Sequence, residues 1–420
     1  MKKSIELIEK IEGEAELHCA YGTDGRVVDA QIQFTSARNI EKILQGRDPK
    51  DALIINPRVC GICNHAHLIA TVRALEACYK SVKISQKSQI CREVTLSLEL
   101  IQSHFKWFYL TIMPLLGFKP AIEKALKPSR IAAEAIAAFA GQYPHNSYAI
   151  AGGIVSDITP IELINAKERI EALKKLFKES LIDADPALFK ECDKIETMLK
   201  HRGDMPLAMA KIIENGWQMM GKSEDRFIVF AEGAFKKGKS IGTRVSTNIS
   251  TGHIKEESIK RSLAKRVLYK DRGYEVGPLA RAMLMKTALI KESHRKYADS
   301  IFSRILARVC EIPQLIIYIE SLLHRLDLSE ESWIDPGEFP KRAVGAGVVE
   351  AARGSLVHKV EIEEGVIKEY NIITPTQWNL GSGDIEKPGI AQKALIGLKN
   401  SDPIELVLKS FDVCSVCTTH

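Results

Sequence analysis

The stretch Asn56-Pro57-Arg58-Val59-Cys60-Gly61-Ile62-Cys63 reads as a loop that opens into an apolar helix from about His65 to Lys80. Two thiols separated by two residues can converge on one metal ion from a single turn. The same spacing returns near the other end of the chain, in Asp412-Val413-Cys414-Ser415-Val416-Cys417-Thr418-Thr419-His420. Four thiolates are soft donors carrying four negative charges, which suits zinc, nickel or iron–sulfur iron over magnesium or calcium. On spacing alone a structural four-cysteine zinc site is the favoured reading. Zinc pairs, however, usually lie tens of residues apart and staple small domains. A chain of 420 residues can bury its core without a staple.

Working outward, the chain is dominantly helical with β character near both ends. Ile5 to Ala20 and Val27 to Phe34 read as a β-hairpin around the turn Gly22-Thr23-Asp24-Gly25. Residues 37–50 carry a short helical pattern. Ser88 to Leu116 repeats Leu96, Leu98, Leu100, Ile101, Phe105, Phe108, Tyr109 and Ile112, as a buried bundle helix would. Further helices are expected over Pro128–Gln142, Pro160–Lys178, Pro186–His201 and Leu207–Met220, and a short strand over Arg226–Ala231. Pro278–Leu326 reads as two long helices kinked at Pro313. Val348–Ala352, Ser355–Ile362 and Val366–Ile373 are strand-like, and Ala391–Leu398 and Pro403–Lys409 close the chain as helices. The expected fold class is mainly α with small β-sheets (α+β), a long-helix bundle core with β-hairpins near both termini, in one domain spanning residues 1–420.

Composition narrows the function. Hydrophobic residues make up 45% and charged residues 27%, the balance of a soluble globular protein. The net charge of +6 is scattered, and its densest cluster, Lys236-Lys237-Gly238-Lys239, is too short for a nucleic-acid footprint. No apolar run approaches the roughly 20 residues a membrane span needs, and Glu6, Glu9, Glu12, Glu14 and Glu16 interrupt any signal-peptide core. A cytoplasmic protein with no nucleic-acid partner and no membrane span of its own is expected, membrane-associated at most through a partner. Nine cysteines, an odd number, argue against a disulfide framework and for metal binding where they cluster. Cys19, Cys78, Cys91, Cys192 and Cys310 lie singly and read as inert thiols.

The residues around the two pairs carry a resemblance. Arg58 to Cys63 with His67 is similar to the first cysteine signature of nickel–iron hydrogenase large subunits, and Asp412 to His420 resembles the second. Lys10-Ile11-Glu12-Gly13, Glu41 to Pro49, Tyr274-Glu275-Val276-Gly277-Pro278-Leu279-Ala280-Arg281, Ala352-Arg353-Gly354 and Thr374-Pro375-Thr376-Gln377-Trp378-Asn379 resemble further family segments. The likeness covers essentially the whole chain.

The resemblance implies reversible, heterolytic cleavage of dihydrogen into protons and electrons. It implies that all four cysteines hold nickel, Cys60 and Cys414 terminally and Cys63 and Cys417 bridging to an iron that carries carbonyl and cyanide. Cys414 or a transiently neutral Arg353 would receive the proton at the metal. Glu12 would be the first proton carrier, a role helped by burial that raises a carboxyl pKa. Arg353 and Asp412 would form a polar canopy donating to iron-bound cyanide and to each other, and His67 would orient a cysteine sulfur. Glu41, the carbonyl of Ile372 and His420 resemble a Mg²⁺ site completed by waters. Iron–sulfur clusters would belong to a small-subunit partner, because no other cysteines here could hold a relay. Maturation proteins would insert the metals, and in this family a protease commonly exposes the terminal histidine.

Each role has a plainer rival. Glu12 reads alone as a solvated strand glutamate, Arg353 as a surface strand arginine, Asp412 as a cap or turn acid, and His67 as a satisfied core histidine competing with His65. Lys10, Glu14 and Val413 depart from the family's usual arginine, histidine and proline. Gln102-Ser103-His104 stands where periplasmic relatives carry an aspartate that supports the canopy, and Ser410-Phe411-Asp412 looks more like the cytosolic uptake and hydrogen-sensing branch. A hydrogen-sensing subunit with the same metals, a structural four-cysteine zinc protein, and a quinone-linked complex I relative that lost the metals are the alternative functions; relatives of the last kind lack the cysteine pairs. Gly345-Ala346-Gly347 suggests a dinucleotide fingerprint, but Glu350 occupies the third glycine position and no helix follows.

Overall fold

The computed structural model of the chain describes residues 2–6, 15–236, 244–247, 249–260 and 262–413. Glu12, Cys414, Cys417 and His420 therefore lie outside the described residues, as do Lys10, Glu14 and Lys237 to Lys239.

Strands β1 (Lys2–Glu6), β2 (Ala15–Tyr21) and β3 (Val27–Phe34) form an antiparallel sheet in that order. The sequence suggested a single strand over Ile5–Ala20; the structure divides it into β1 and β2, which pair with each other from Glu6↔Glu16 to Lys2↔Ala20. β3 alternates as expected, burying Val27, Ala30, Ile32 and Phe34.

The first long helices of the helical body follow one another in sequence. α1 (Asn64–Glu76) follows the first cysteine pair and is buried almost all round. α2 (Gln86–Trp107) starts at Ser85, whose side chain accepts from Ser88 N–H, and continues into a π-helical turn at Phe108–Ile112. α3 (Ile122–Ala140) and α4 (Pro160–Leu176) pack in sequence beside α2, α4 opening with a Thr159/Glu162 capping box. α3 begins before the expected Pro128, which sits inside it. The expected helix Pro186–His201 is two short helices, Pro186–Lys190 and Ile195–Met198, the second starting where the Glu292 carboxylate takes Ile195 N–H at 2.5 Å. Pro278–Leu326 is three helices rather than two: α5 (Pro278–Met285), α6 (Ala288–Tyr297) and α7 (Ile301–His324). The breaks fall at Lys286 and Ala298, both at positive φ, whereas Pro313 lies inside α7 without ending it. One missing N–H is outweighed there by the apolar surface that α7 buries against α2 and α4.

A second antiparallel sheet, β4 (Ala343–Ala351), β5 (Gly354–Glu363) and β6 (Val366–Ile373), lies on α1. Gly345 and Gly347 belong to β4, which disposes of the dinucleotide fingerprint. A Cβ at Gly347 would stand 2.1 Å from the carbonyl oxygen of Ala70, and one at Gly345 equally close to that of Ala74. These glycines let strand and helix backbones touch. No described helix is long and apolar enough to cross a membrane.

Candidate metal centre

The contact between α1 and β4 fixes where the site lies. Moving along β4 from Gly345 to Gly347 corresponds to moving along α1 from Ala74 to Ala70. The β4–β5 turn that carries Arg353 therefore sits at the end of α1 that carries the cysteine loop.

Cys60 is fully buried and Cys63, the N-cap residue of α1, nearly so. The N–H groups of Ile62 and Cys63 point at Cys60 Sγ, at 3.3 and 3.4 Å. Backbone donors aimed at a buried sulfur stabilise a thiolate, the form in which cysteine binds metal. The arrangement fits a thiolate-held metal as far as it is described; half of the donor set, Cys414 and Cys417, lies beyond the described residues. Among those residues no group of three or more histidine, cysteine and acidic side chains is placed to hold a metal.

Two histidines follow the loop, and the structure separates them. His65 turns toward α2, its Nε2 2.7 Å from Thr95 Oγ1. His67 turns toward the sheet, its Nδ1 3.0 Å from His358 Nε2 on β5. Burial holds both imidazoles neutral, pulling His65 to about 3 and His67 to about 4. His67 also feels Cys60, which favours its charged form, and Arg353, which opposes it. The plainer reading of a satisfied core histidine fits His65 well. His67 is satisfied too, through His358, but it is near enough to Cys60 and Arg353 to feel both.

Arg353 is buried rather than on a strand surface, and its Nε lies 3.2 Å from Asp412 Oδ2. Asp412 also accepts a short hydrogen bond from Arg308 Nη1. Burial alone would raise the Asp412 pKa, but Arg353 and Arg308 outweigh it and hold the carboxyl below its usual range. Asp412 lies two residues past Ser410, the C-cap of the helix Ile404–Lys409, at a positive φ of 59°. It is thus both a turn acid and a partner of the buried arginines. Arg58 is exposed and bonds the carbonyl of Ile54, away from the thiols.

Glu41 stands on the short helix Ile40–Leu44, and its Oε1 accepts the Ile372 N–H at 2.6 Å. Two members of the expected Mg²⁺ set are adjacent, although the atom of Ile372 that meets Glu41 is nitrogen, not the carbonyl. Four of the five single cysteines, Cys19, Cys78, Cys91 and Cys310, are buried as expected, and Cys192 is half-buried. Burial raises the Cys78 thiol to about 11 and Cys91 to about 12, so neither offers a thiolate at neutral pH.

Sequence reasoning missed a carboxylate. Glu99 of α2 is fully buried, and its two oxygens accept the N–H groups of His65 (2.8 Å) and Ala66 (3.0 Å). It thus satisfies the opening turn of α1 directly behind Cys63, in the place of an absent N-cap side chain. Tyr143 adds a hydroxyl at 3.3 Å. Burial dominates over these donors and pushes the Glu99 pKa from 4.5 up to about 8. A carboxyl raised in the fold contributes stability that is whole below the unfolded value and is lost as pH climbs through the folded one. Glu99→Gln should therefore flatten a decline of a few kcal/mol between pH 4.5 and 8. Urea midpoints of both proteins at pH 5 and pH 8 check this; parallel declines would refute the assignment. A glutamate inside the apolar run Leu96–Ile101 was the available signal.

A second missed group is a buried ion cluster beneath the β4–β5 turn. Arg281 pairs with Glu311 in fork geometry (Nε 2.7 Å, Nη2 2.8 Å), and His104 Nε2 meets the same carboxylate at 2.7 Å. His104 belongs to the Gln102-Ser103-His104 segment set apart in the sequence, and burial holds its ring neutral, down to about 4.

Comparison with known proteins agrees with this geometry. The family described as nickel-dependent hydrogenase matches residues 38–113 and 232–420. The large subunit of the periplasmic [NiFeSe] hydrogenase of Desulfomicrobium baculatum is 26% identical, with 100% of this chain and 95% of that protein covered. Sulfhydrogenase 1 subunit alpha of Pyrococcus furiosus is 27% identical over 99% of this chain and 97% of its own length. The solved Ni-Fe-Se hydrogenase of D. vulgaris Hildenborough in its reduced state superimposes with a TM-score of 0.82 at 23% identity, covering 100% of both chains, which shows a shared fold. With both the cysteine loop and the Asp412 segment inside the matched residues, the chain belongs to the nickel-dependent hydrogenases, as a hydrogenase large subunit.

Proposed function

We propose that the chain cleaves dihydrogen heterolytically and reversibly, releasing two protons and passing two electrons to an iron–sulfur small subunit. The observation that carries the reading is the convergence of Cys60 and His67, Arg353, and Asp412 from three separate parts of the chain. Cys60, Cys63, Cys414 and Cys417 would hold the nickel, Cys60 and Cys414 binding it alone and Cys63 and Cys417 together with an iron bearing carbonyl and cyanide. When bound, the metal pair supplies the electrophile that polarises dihydrogen and accepts its electrons. The chain's own residues do the rest. Cys414 takes the proton at its sulfur, and Glu12 carries it onward. Arg353, aimed by Asp412, would present N–H donors to an iron-bound cyanide. His67, fixed by His358, keeps the cysteine loop oriented.

The iron–sulfur relay is assigned to the partner because the four buried single cysteines and half-buried Cys192 are spread through the fold. The names of the relatives, a large subunit and a subunit alpha, support a second chain. The free thiols favour a reducing, cytoplasmic setting. Insertion of the metals by maturation proteins, and Mg²⁺ held by Glu41, Ile372 and His420, complete the reading.

The test is composition and spectroscopy of protein matured with its partner. Nickel and iron near one each, with infrared bands from carbonyl and cyanide, are expected; zinc in their place would overturn the proposal. Cys60→Ser and Cys414→Ser should each reduce bound nickel at least tenfold, as replacing a soft donor by a hard one requires. Full nickel occupancy in either variant would contradict its assigned role.

A further inference from the structure

The segment Tyr274–Arg281 resembles a family motif, yet nothing above gives it a task. Its geometry supplies one. Glu275 accepts both arms of Arg304 at 2.8 Å, tying the segment to α7. Gly277, at φ 114°, brings its backbone against the β4–β5 turn so closely that a Cβ would stand 2.7 Å from the carbonyl oxygen of Arg353. One turn of helix later, Arg281 is fully buried and reaches the same turn from beneath. Its Nη1 donates to the carbonyl of Ala351 at 2.8 Å and to Glu350 Oε2 at 3.1 Å, and its Nη2 to the carbonyl of Ala352 at 3.3 Å. Arg308 donates to the Ala352 carbonyl as well, at 3.2 Å. Phe235 closes the face of the Arg281 guanidinium at 4.7 Å.

We infer that Arg281 is a positioning residue that fixes the Ala351–Gly354 turn and thereby aims the Arg353 guanidinium over the metal centre. The turn is a two-residue hairpin connection, Ala351 pairing with Gly354. Such connections are ordinarily exposed and mobile. This one is buried, so its carbonyls need protein donors. Arg281 provides them while Glu311 and Glu350 hold its charge in place. Only a planar fork can meet two carboxylates and two carbonyls together; a lysine ammonium reaches one or two of them. A shift of about 1 Å in a group that acts on a reacting centre costs on the order of a hundredfold in rate.

The inference rests on the reading of Arg353 as a donor to iron-bound cyanide, and the experiment separates the two. Arg281→Lys, Arg353→Lys and Arg92→Lys are made in the complex matured with its small subunit. Arg92 is the control, another buried arginine, which grips Glu76 and the carbonyls of Ile150 and Gly153. Nickel and iron content, infrared cyanide bands and turnover are measured in each. Arg281→Lys is expected to keep both metals, displace the cyanide bands and lower kcat about ten- to a hundredfold, with the Arg92 variant unchanged. Cyanide bands displaced by Arg353→Lys but not by Arg281→Lys would overturn the inference and leave the parent reading intact. Unmoved bands in Arg353→Lys would sink the parent reading. Equal displacement in the Arg92 variant would reduce the effect to general loosening and also overturn the inference. Should Arg281→Lys fail to fold, Arg281→Met combined with Glu311→Leu replaces the pair by apolar volume and is read by the same bands.

Discussion

Glu311→Ala is expected to lower folding stability by about 3–5 kcal/mol, the cost of breaking a buried ion pair while leaving one charge behind. Glu311 is almost wholly enclosed on α7, and it meets both arms of Arg281 and the ring of His104. Burial by itself would raise the Glu311 pKa, but Arg281 and His104 overcome it and draw it down from 4.5 to about 2. A depressed carboxyl contributes stability that is present above its unfolded value and lost as pH falls through the folded one. The parent should therefore lose this contribution between about pH 4.5 and 2, and the alanine variant should lack that part of the acid decline. Urea unfolding followed by circular dichroism at pH 7 and pH 3.5 measures both effects. A loss below about 1 kcal/mol at pH 7 would show that the cluster contributes little net stability. Replacing Arg281 and Glu311 together with apolar residues should cost less than replacing Glu311 alone, because the guanidinium is not left behind and only Glu350, which burial already pushes toward its neutral form, loses its ion partner.

Glu12→Gln is expected to reduce dihydrogen-driven dye reduction by about 10²–10⁴-fold, the range that a positioned proton carrier supplies. Glutamine keeps the volume and hydrogen-bonding shape of the carboxyl but cannot take up and release a proton. Nickel and iron content and the infrared bands should be unchanged, since Glu12 is assigned no metal-holding role. Exchange of dihydrogen with deuterated water should fall along with turnover. Normal turnover in the variant would remove Glu12 from the proton route. The segment carrying Glu12 connects β1, which ends at Glu6, to β2, which begins at Ala15.

Much of this molecule was legible because local chemistry and tertiary outcome agree. β3 alternates one residue in and one out from Ala30 to Phe34, so its core face could be read from the sequence. The loop before α1 was marked by its two cysteines, and the β4–β6 meander by the strand-like runs Val348–Ala352, Ser355–Ile362 and Val366–Ile373. What escaped was long-range. Glu99 and Glu311 each sit in an apolar helical run, where a lone acid has the look of a solvated position. Their partners, the α1 N–H groups and Arg281, come from other elements and no spacing rule connects them. The choice between His65 and His67 was equally closed to sequence, since it depends on which face of α1 meets the sheet. The divided helices reflect another limit: Lys286 and Ala298 take positive φ without being glycine. Side-chain type gives weak warning of that geometry.

The backbone contact between α1 and β4 has a mechanical consequence. At Gly345 and Gly347 no side chain separates helix from strand, so no rotamer can change there and no gap exists for repacking to fill. Most packed interfaces yield a little under stress because side chains act as springs between their backbones. Here the springs are missing, and the cysteine loop and the Arg353 turn are carried by two rods in hard contact. The spacing between a thiolate and the guanidinium opposite it is thus insulated from slack elsewhere in the fold, which leaves the outer helices free to vary while the gauge of the site stays constant.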